Sequence, residues 1–265
     1  MNKFVTKYIE ENYGFSPEDA TPEQLAIVTK IIVNDVTGMY SRNCEWDFSQ
    51  FPNLEELDCG YNFINELVVK NNPKLKRLKW AGTRGGFQVM PDLSNNPNLK
   101  ELIVGQDEMV ELDLRNNPNI ENLTIYVNSS MRWLDVSNCK HLKSIDMEGV
   151  NIPFVDLTVC KELEFVNINY LNLYRNRCDD FGPGYPRPIV FVKEDFDENV
   201  IKEHTRSLKD YAYYLIRVKP GSKEEKFLNF MRGAKDAMVA IPEDRYGNGV
   251  GEIHYKLLRI YNEAF

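Results

Sequence analysis

The sequence lacks the cysteine content of a disulfide framework. Its five cysteines, Cys44, Cys59, Cys139, Cys160 and Cys178, are sparse and odd in number, which predicts reduced thiols. It also lacks any run of about 18 apolar residues, the length a membrane-spanning helix needs, so no membrane insertion is expected. The opening stretch MNKFVTKYIEENYGF has no apolar h-region and no small-residue cleavage site. The expected location is the cytoplasm, or the cell surface or exterior if an export signal has been removed. Basic charge is short as well. Against 40 Asp and Glu stand 32 Lys and Arg, a formal net charge of −8, which argues against a nucleic-acid partner.

Catalytic signatures are missing too. There are no paired carboxylates in a recognisable motif, no triad and no phosphate loop. Gly247-Asn248-Gly249-Val250-Gly251 has neither the G-x-G-x-x-G nor the P-loop spacing and reads as a flexible turn before a last helix. No nucleophile motif surrounds Cys178, which leaves a pairing with His204 or His254 unsupported. Cys139 and Cys160 have no His or further Cys at ligand spacing, so no metal and no cofactor are expected. At 43% hydrophobic and 27% charged residues, the composition is that of a folded chain.

What is present is a repeat. The anchor L-x-x-L recurs at Leu54/Leu57, Leu75/Leu78, Leu99/Leu102, Ile120/Leu123, Leu142/Ile145 and Leu163/Val166, in steps of 21, 24, 21, 22 and 21 residues. A second series runs half a repeat out of phase with the same steps: Trp46-Asp-Phe48, Leu67-Val-Val69, Pro91-Asp-Leu93, Leu112-Asp-Leu114, Leu134-Asp-Val136 and Val155-Asp-Leu157. Each repeat thus holds two short alternating segments, which read as strands. Asn-Pro turns separate them at Asn72-Pro73, Asn96-Pro97 and Asn117-Pro118. Five residues after each L-D-L start stand Asn72, Asn96, Asn117, Cys139 and Cys160, with Phe51 in the first copy. A coil that turns here leaves backbone groups unpaired inside it, and stacked Asn side chains satisfy them. Small cysteines accept the same burial.

With this Asn/Cys interchange, residues 43–173 resemble a bacterial leucine-rich repeat array of the nested 21-residue kind. The layout is similar to that of internalin-type receptors, with shorter repeats. The resemblance implies an α/β leucine-rich repeat solenoid of about six turns and says nothing of a ligand. Two departures stand out. The second repeat carries three extra residues around Gly82-Thr83-Arg84-Gly85-Gly86, which predicts a protruding loop. The other half-repeat ladder, Asn62, Thr83, Asp107, Asn128, Val150 and Leu171, is irregular, so the L-D-L strands are expected to form the better sheet.

A solenoid exposes apolar core at both ends and needs caps. Residues 1–42 read as a helical N-terminal cap around the array at 43–178. Ser16-Pro17 and Thr21-Pro22 each place a hydroxyl before a helix-starting proline, and the helix from Pro22 is expected to run into Ile31-Ile32-Val33. Residues 179–265 read as a small α/β domain or cap. Strands are expected at Pro188–Val192 and Tyr211–Val218, with helices over Glu198–Lys209, Ser222 to about Val239, and Glu252–Asn262.

The middle residues of the L-D-L segments, Asp47, Val68, Asp92, Asp113, Asp135 and Asp156, fall in one column at about 4.8 Å spacing. Like charges at that distance repel by about 1 kcal/mol even in water. Two readings compete: a docking strip for a basic partner, or Asp side chains bonded to local backbone. Two residues earlier, the same face carries Glu45, Glu66, Met90, Glu111, Trp133 and Phe154. Exposed aromatics beside carboxylates suit a protein-binding hot spot, unless the C-terminal segment folds over them. The expected function is a non-enzymatic protein-interaction module, with Asp92, Asp113, Asp135, Asp156, Glu111, Met90, Trp133 and Phe154 meeting a protein partner, one with a basic surface fitting best. One alternative makes residues 179–265 an enzyme or nucleotide-binding unit, with His204, His254 or Arg245 lining a pocket. Another is a structural subunit of a larger assembly.

Overall fold

A computed structural model describes residues 2–34, 45–62, 64–81, 90–105, 109–126, 130–147, 149–150, 152–168, 188–201, 214–240 and 248–264. Alternation decides which side of each short strand is buried. In the L-x-x-L series the central residue points inward and its neighbours outward. The result is a seven-stranded parallel sheet in the order β1 (Lys30–Ile32), β3 (Glu56–Asp58), β5 (Arg77–Ala81), β6 (Glu101–Gly105), β8 (Asn122–Ile125), β10 (Ser144–Asp146) and β12 (Phe165–Asn167). Its register aligns Ile31, Leu57, Leu78, Leu102, Leu123, Ile145 and Val166 in one buried row. Every one of them lies in the same core cluster.

The L-D-L series forms the opposite wall in three pieces. These are β2 (Glu45–Asp47) with β4 (Glu66–Val68), β7 (Glu111–Asp113) with β9 (Trp133–Asp135), and β11 (Phe154–Asp156) with β13 (Ile189–Lys193) and β14 (Tyr214–Val218). The expectation that these strands make the more regular sheet is reversed. Pro91 in the third copy has no N–H to give to a ladder, and Pro91-Asp92-Leu93 forms no strand. Of the irregular ladder positions, Thr83, Asp107, Asn128 and Leu171 lie outside the described residues, and the strands before them are intact.

The amide ladder is formed as its spacing implies. Asn72 Nδ2 donates to the carbonyls of Phe48 and Phe51 at 2.9 and 2.8 Å. Asn96 bonds Val69 and Asn72, and Asn117 bonds Leu93 and Asn96, all at 2.9–3.0 Å. Cys139 takes over with longer Sγ contacts to Leu114 and Asn117 at 3.6 and 3.7 Å. Each rung is thereby tied to the carbonyls of the one before.

The ends depart from expectation. Helix α1 (Lys3–Tyr13) is capped by Asn2 and closed by Gly14 in the left-handed region, φ 79°. Ser16-Pro17 makes a turn, with Asp19 donating back to Ser16, and starts no helix. Thr21 does cap α2 (Pro22–Ala26) through a full capping box with Gln24. That helix stops well short of Ile31, which enters the seven-stranded sheet in β1. β-branched Ile31, Ile32 and Val33 suit a strand better than a helix.

At the other end β13 and β14 continue the L-D-L wall from β11, and Val166 bridges to Ile201 on the opposite wall. Where a helix is expected over Glu198–Lys209, the chain makes a 3-10 turn at Glu198–Val200, and residues 202–209 lie outside the described residues. Ser222 caps α3 (Lys223–Gly233), which breaks at Ala234 before α4 (Lys235–Val239). The last helix, α5 (Asn248–Ala264), begins four residues before Glu252, so Gly249 and Gly251 lie in its first turns.

Candidate protein-binding surface

The acidic column is bonded to its own backbone. One carboxylate oxygen of each Asp accepts the N–H two residues on: Ser49 to Asp47 at 2.7 Å, Ser94 to Asp92 at 2.9 Å, and Arg115, Ser137 and Thr158 to Asp113, Asp135 and Asp156 at 3.0 Å. These are Asx turns that set the chain before the ladder residue, and in every copy but Pro91-Asp92-Leu93 they end a strand. The bonds also stabilise the charge. Hydrogen bonds from Ser94 hold the Asp92 carboxyl below the usual carboxylate range. Arg115 does the same for Asp113, first by its side-chain hydrogen bond.

Repulsion along the column is relieved by cations set between the rungs. Arg115 Nε lies 3.0 Å from Asp113 and 3.4 Å from Asp135. Arg232 of α3 reaches back to Asp156 with Nη2 at 2.7 Å and Nε at 2.9 Å, and its Nη2 also meets Thr158 Oγ1 at 3.1 Å. Lys235 of α4 sits 3.0 Å from Glu111. The C-terminal half of the strip therefore already has a basic occupant, supplied by the chain itself. Sequence periodicity gave no sign of Arg232, which stands 76 residues from Asp156.

The aromatic end is covered. Trp133 and Phe154, expected in the open, are 6% and 4% exposed. Their rings meet edge to face at 5.1 Å, and Phe154 meets Phe191 of β13 in the same way at 6.2 Å. Ile189, Phe227, Leu228, Met231, Met238 and Leu257 complete this second core. Met90 is half-buried against the main core. Of the eight residues expected to meet a partner, Asp92 is exposed, Glu111 and Asp113 keep open surface, and Asp135 and Asp156 are mostly enclosed.

The opposite wall presents more. Along its outer face Arg77, Lys79, Glu101, Ile103, Thr124, Ser144, Asp146 and Phe165 are half-exposed, while Asp58 and Asn167 are buried. Charges alternate between rungs, so neighbours pair: Lys30–Glu56 and Glu56–Arg77 at 2.8 Å, Arg77–Glu101 at 3.0 Å. One residue before each strand a parallel row pairs Lys76 with Glu55 at 2.7 Å, and Lys100 and Lys143 with Glu121 at 2.8 Å each. At the strand ends Tyr61 and Tyr126 are 53% and 43% exposed. Tyr126 leans across Gly105, where an added Cβ would stand 2.7 Å from Tyr126 Cβ. Tyr61 holds φ at 57°, with Lys79 Nζ 5.4 Å from its ring centre. Neither tyrosine was singled out in the sequence, because both lie beyond the hydrophobic register.

The inward aliphatic row of seven rungs, the amide ladder and a continuous parallel wall decide the fold. The array is a leucine-rich repeat solenoid. Among solved structures it is similar to the functional domain of InlJ from Listeria monocytogenes, described as including a cysteine ladder, at 19% identity and a TM-score of 0.47. That likeness covers 77% of this chain and 43% of the other, so the chain spans less than half of that protein's length. No family model and no curated protein matches the chain.

Among the described residues no group of three or more His, Cys, Asp or Glu is placed to hold a metal ion, and no helix is long and apolar enough to cross a membrane. Cys178, His204 and Arg245 lie outside the described residues, as does the His254 side chain. The Cys139 and Cys160 thiols are buried, and burial pushes Cys139 up to about 12 and Cys160 further, so both stay protonated in the ladder.

Proposed function

We propose that this leucine-rich repeat protein is a non-enzymatic protein-interaction module that recognises its partner through the outer face of the seven-stranded wall. A long, half-exposed face whose side chains change from rung to rung suits recognition, because each rung can vary without disturbing the core. The observation that carries the reading is the alternation of paired charge with two exposed tyrosines on that face, while the aromatic end of the other face is covered. Asp92, Glu111 and Asp113 stand on the opposite wall and lie outside this contact. Salt then weakens the complex without abolishing it, because the tyrosines and Ile103 contribute burial as well as charge.

Residues 188–264 act in this reading as the C-terminal cap. Their apolar side chains are spent on Trp133 and Phe154, which supports a closing element over a separate unit.

A photo-reactive amino acid placed at Tyr61 or Tyr126, in the full chain and in an extract of its source, tests the proposal. Cross-links to one protein species are expected from both positions. Glu111, exposed on the opposite wall, serves as the control. Equal labelling at Glu111, or none at the two tyrosines, would refute the assignment.

A further inference from the structure

The turns after β3 and β10 each hold a residue in the left-handed region. Register carries Glu56 onto Arg77, Glu101, Asn122 and Ser144, so Tyr61 and Gly149, each five residues on, occupy one position of the repeat. Gly149 has φ 77° and Tyr61 φ 57°. Glycine adopts that conformation freely, whereas a Cβ is pressed against the following carbonyl. Among the described residues Tyr61 is the only one other than glycine with a positive φ. The turn therefore forms with glycine, and a bulky tyrosine strains it. Packing of the ring does not offset that strain. The ring belongs to neither apolar core and is 53% exposed, with Lys79 Nζ over one face at 5.4 Å from its centre. Lys79 is itself held by Asp58 at 3.5 Å. The bonds that fix the turn make no use of the phenol. Tyr61 N–H donates to the Ala81 carbonyl at 2.7 Å and Gly60 N–H to Asp58 at 3.1 Å. Asn62 Nδ2 donates to the carbonyls of Val33 and Cys59 at 2.6 and 3.0 Å.

We infer that Tyr61 is the specificity-determining anchor of the partner contact, kept for its ring at a cost to the fold. The inference rests on the reading of the seven-stranded wall as the partner-binding face. A strained residue persists where its surroundings over-determine it, and such residues cluster at binding sites. The locked turn presents the ring in a set position, which lowers the entropy lost when a partner buries it. Tyrosine is among the residues that dominate interface energies. With Lys79 on one face of the ring, the other face and the hydroxyl are left for the partner. The partner that fits is a protein surface with a pocket for one aromatic ring and a hydrogen-bond acceptor at its depth, because a phenol O–H needs a bond once it is buried.

Full-length Tyr61→Gly, Tyr61→Ala and Tyr61→Phe variants test this by two readouts that move in opposite directions. Glycine relieves the strain and alanine keeps it, whereas at an unstrained position alanine is the more stable of the two. In urea unfolding the folding constant of Tyr61→Gly is expected to be no lower than that of the parent and about fivefold above that of Tyr61→Ala. In the same variants a photo-reactive amino acid at Tyr126, in an extract of the source, reads the partner contact. The cross-link is expected to fall about tenfold or more in Tyr61→Gly and Tyr61→Ala, and by less in Tyr61→Phe, which keeps the ring. A Tyr61→Gly variant less stable than the parent would show that the ring serves the fold and would overturn the anchor. So would a Tyr61→Gly variant no more stable than Tyr61→Ala. An unchanged cross-link in a stable Tyr61→Gly variant would also overturn the anchor and leave the wall as the partner-binding face. A parent chain that gives no cross-link from Tyr126 would overturn both.

Discussion

A single buried amide per repeat ties each rung to its neighbour. Asn117 donates to two buried carbonyls, Leu93 and Asn96, each of which also accepts one backbone N–H, from Asn96 and Leu99. Asn117→Ala removes one of the two hydrogen bonds on each and is expected to cost about 1–3 kcal/mol, read as a lower urea midpoint with unchanged slope. Asn117→Cys should cost less, because Cys139 already fills the same place with weaker Sγ contacts. The offset of the ladder was legible in the sequence because one residue type recurs at one distance from each strand. The Asp column was legible in the same way, and so was the local backbone reading of it. Its neutralisation was not, since Arg232 comes from a segment with no repeat.

Close approach at Gly105 is a second residue-scale constraint that the pattern concealed. A methyl group there would meet Tyr126 Cβ at 2.7 Å and the Tyr126 carbonyl at 2.9 Å, and Tyr126 is held in place by its N–H bond to the Val104 carbonyl at 2.8 Å. Gly105→Ala is expected to destabilise by about 1–3 kcal/mol and to raise amide exchange in β8 before β3. Charge acts here more gently. Lys100 and Lys143, first by their hydrogen bonds, draw the Glu121 carboxyl down to about 2. A carboxyl lowered on folding adds stability above its unfolded pKa, near 4.3, and loses it as pH falls toward 2. Both pairs are solvent-accessible, so Glu121→Gln should cost at most about 1 kcal/mol at pH 7 and nothing at pH 2, as thermal unfolding at the two pH values will show.

At the scale of elements, period and turn chemistry pull in different directions. The L-x-x-L strands followed from their spacing, and their sheet is unbroken despite poor turn residues, because the inward Leu row alone fixes its register. The L-D-L strands had the better turns and yet form a broken wall; Pro91, at a ladder position, accounts for the break between β4 and β7. Ile31-Ile32-Val33 was read as the end of a helix because a strong cap precedes it at Thr21. A cap begins a helix without setting its length, and the β-branched run had a sheet edge to join. Trp133 shows what the sequence leaves open about a face. Strand alternation put it outward, correctly, and α3–α5 then covered it. Trp133→Ala opens a cavity among Phe154, Phe191 and Met238 and is expected to cost about 3–5 kcal/mol in denaturant unfolding. A surface hot spot would instead lose affinity and keep its stability.

At the scale of the molecule, the two ends are closed by unlike means. The N-terminal edge of the wall is closed by side chains of a helix, and the C-terminal end by strands that extend both walls and helices that lie over the last aromatic residues. The C-terminal cluster is shared property: Trp133 and Phe154 belong to repeats, while Phe191, Phe227, Met231 and Leu257 belong to the segment after them. Neither part has a complete core without the other. Residues 188–264 made alone would expose β13 along the edge where β11 pairs, together with the faces of Phe191 and Phe227. That segment is expected to lack a cooperative thermal transition and a dispersed amide spectrum. A chain stopped after Ile168 should in turn aggregate through Trp133 and Phe154, and co-expression of the two pieces should restore a soluble one-to-one complex. A sharp melting transition in the isolated segment would mark it as an independent domain with its own core, and the reading of it as a cap would fail on that measurement alone.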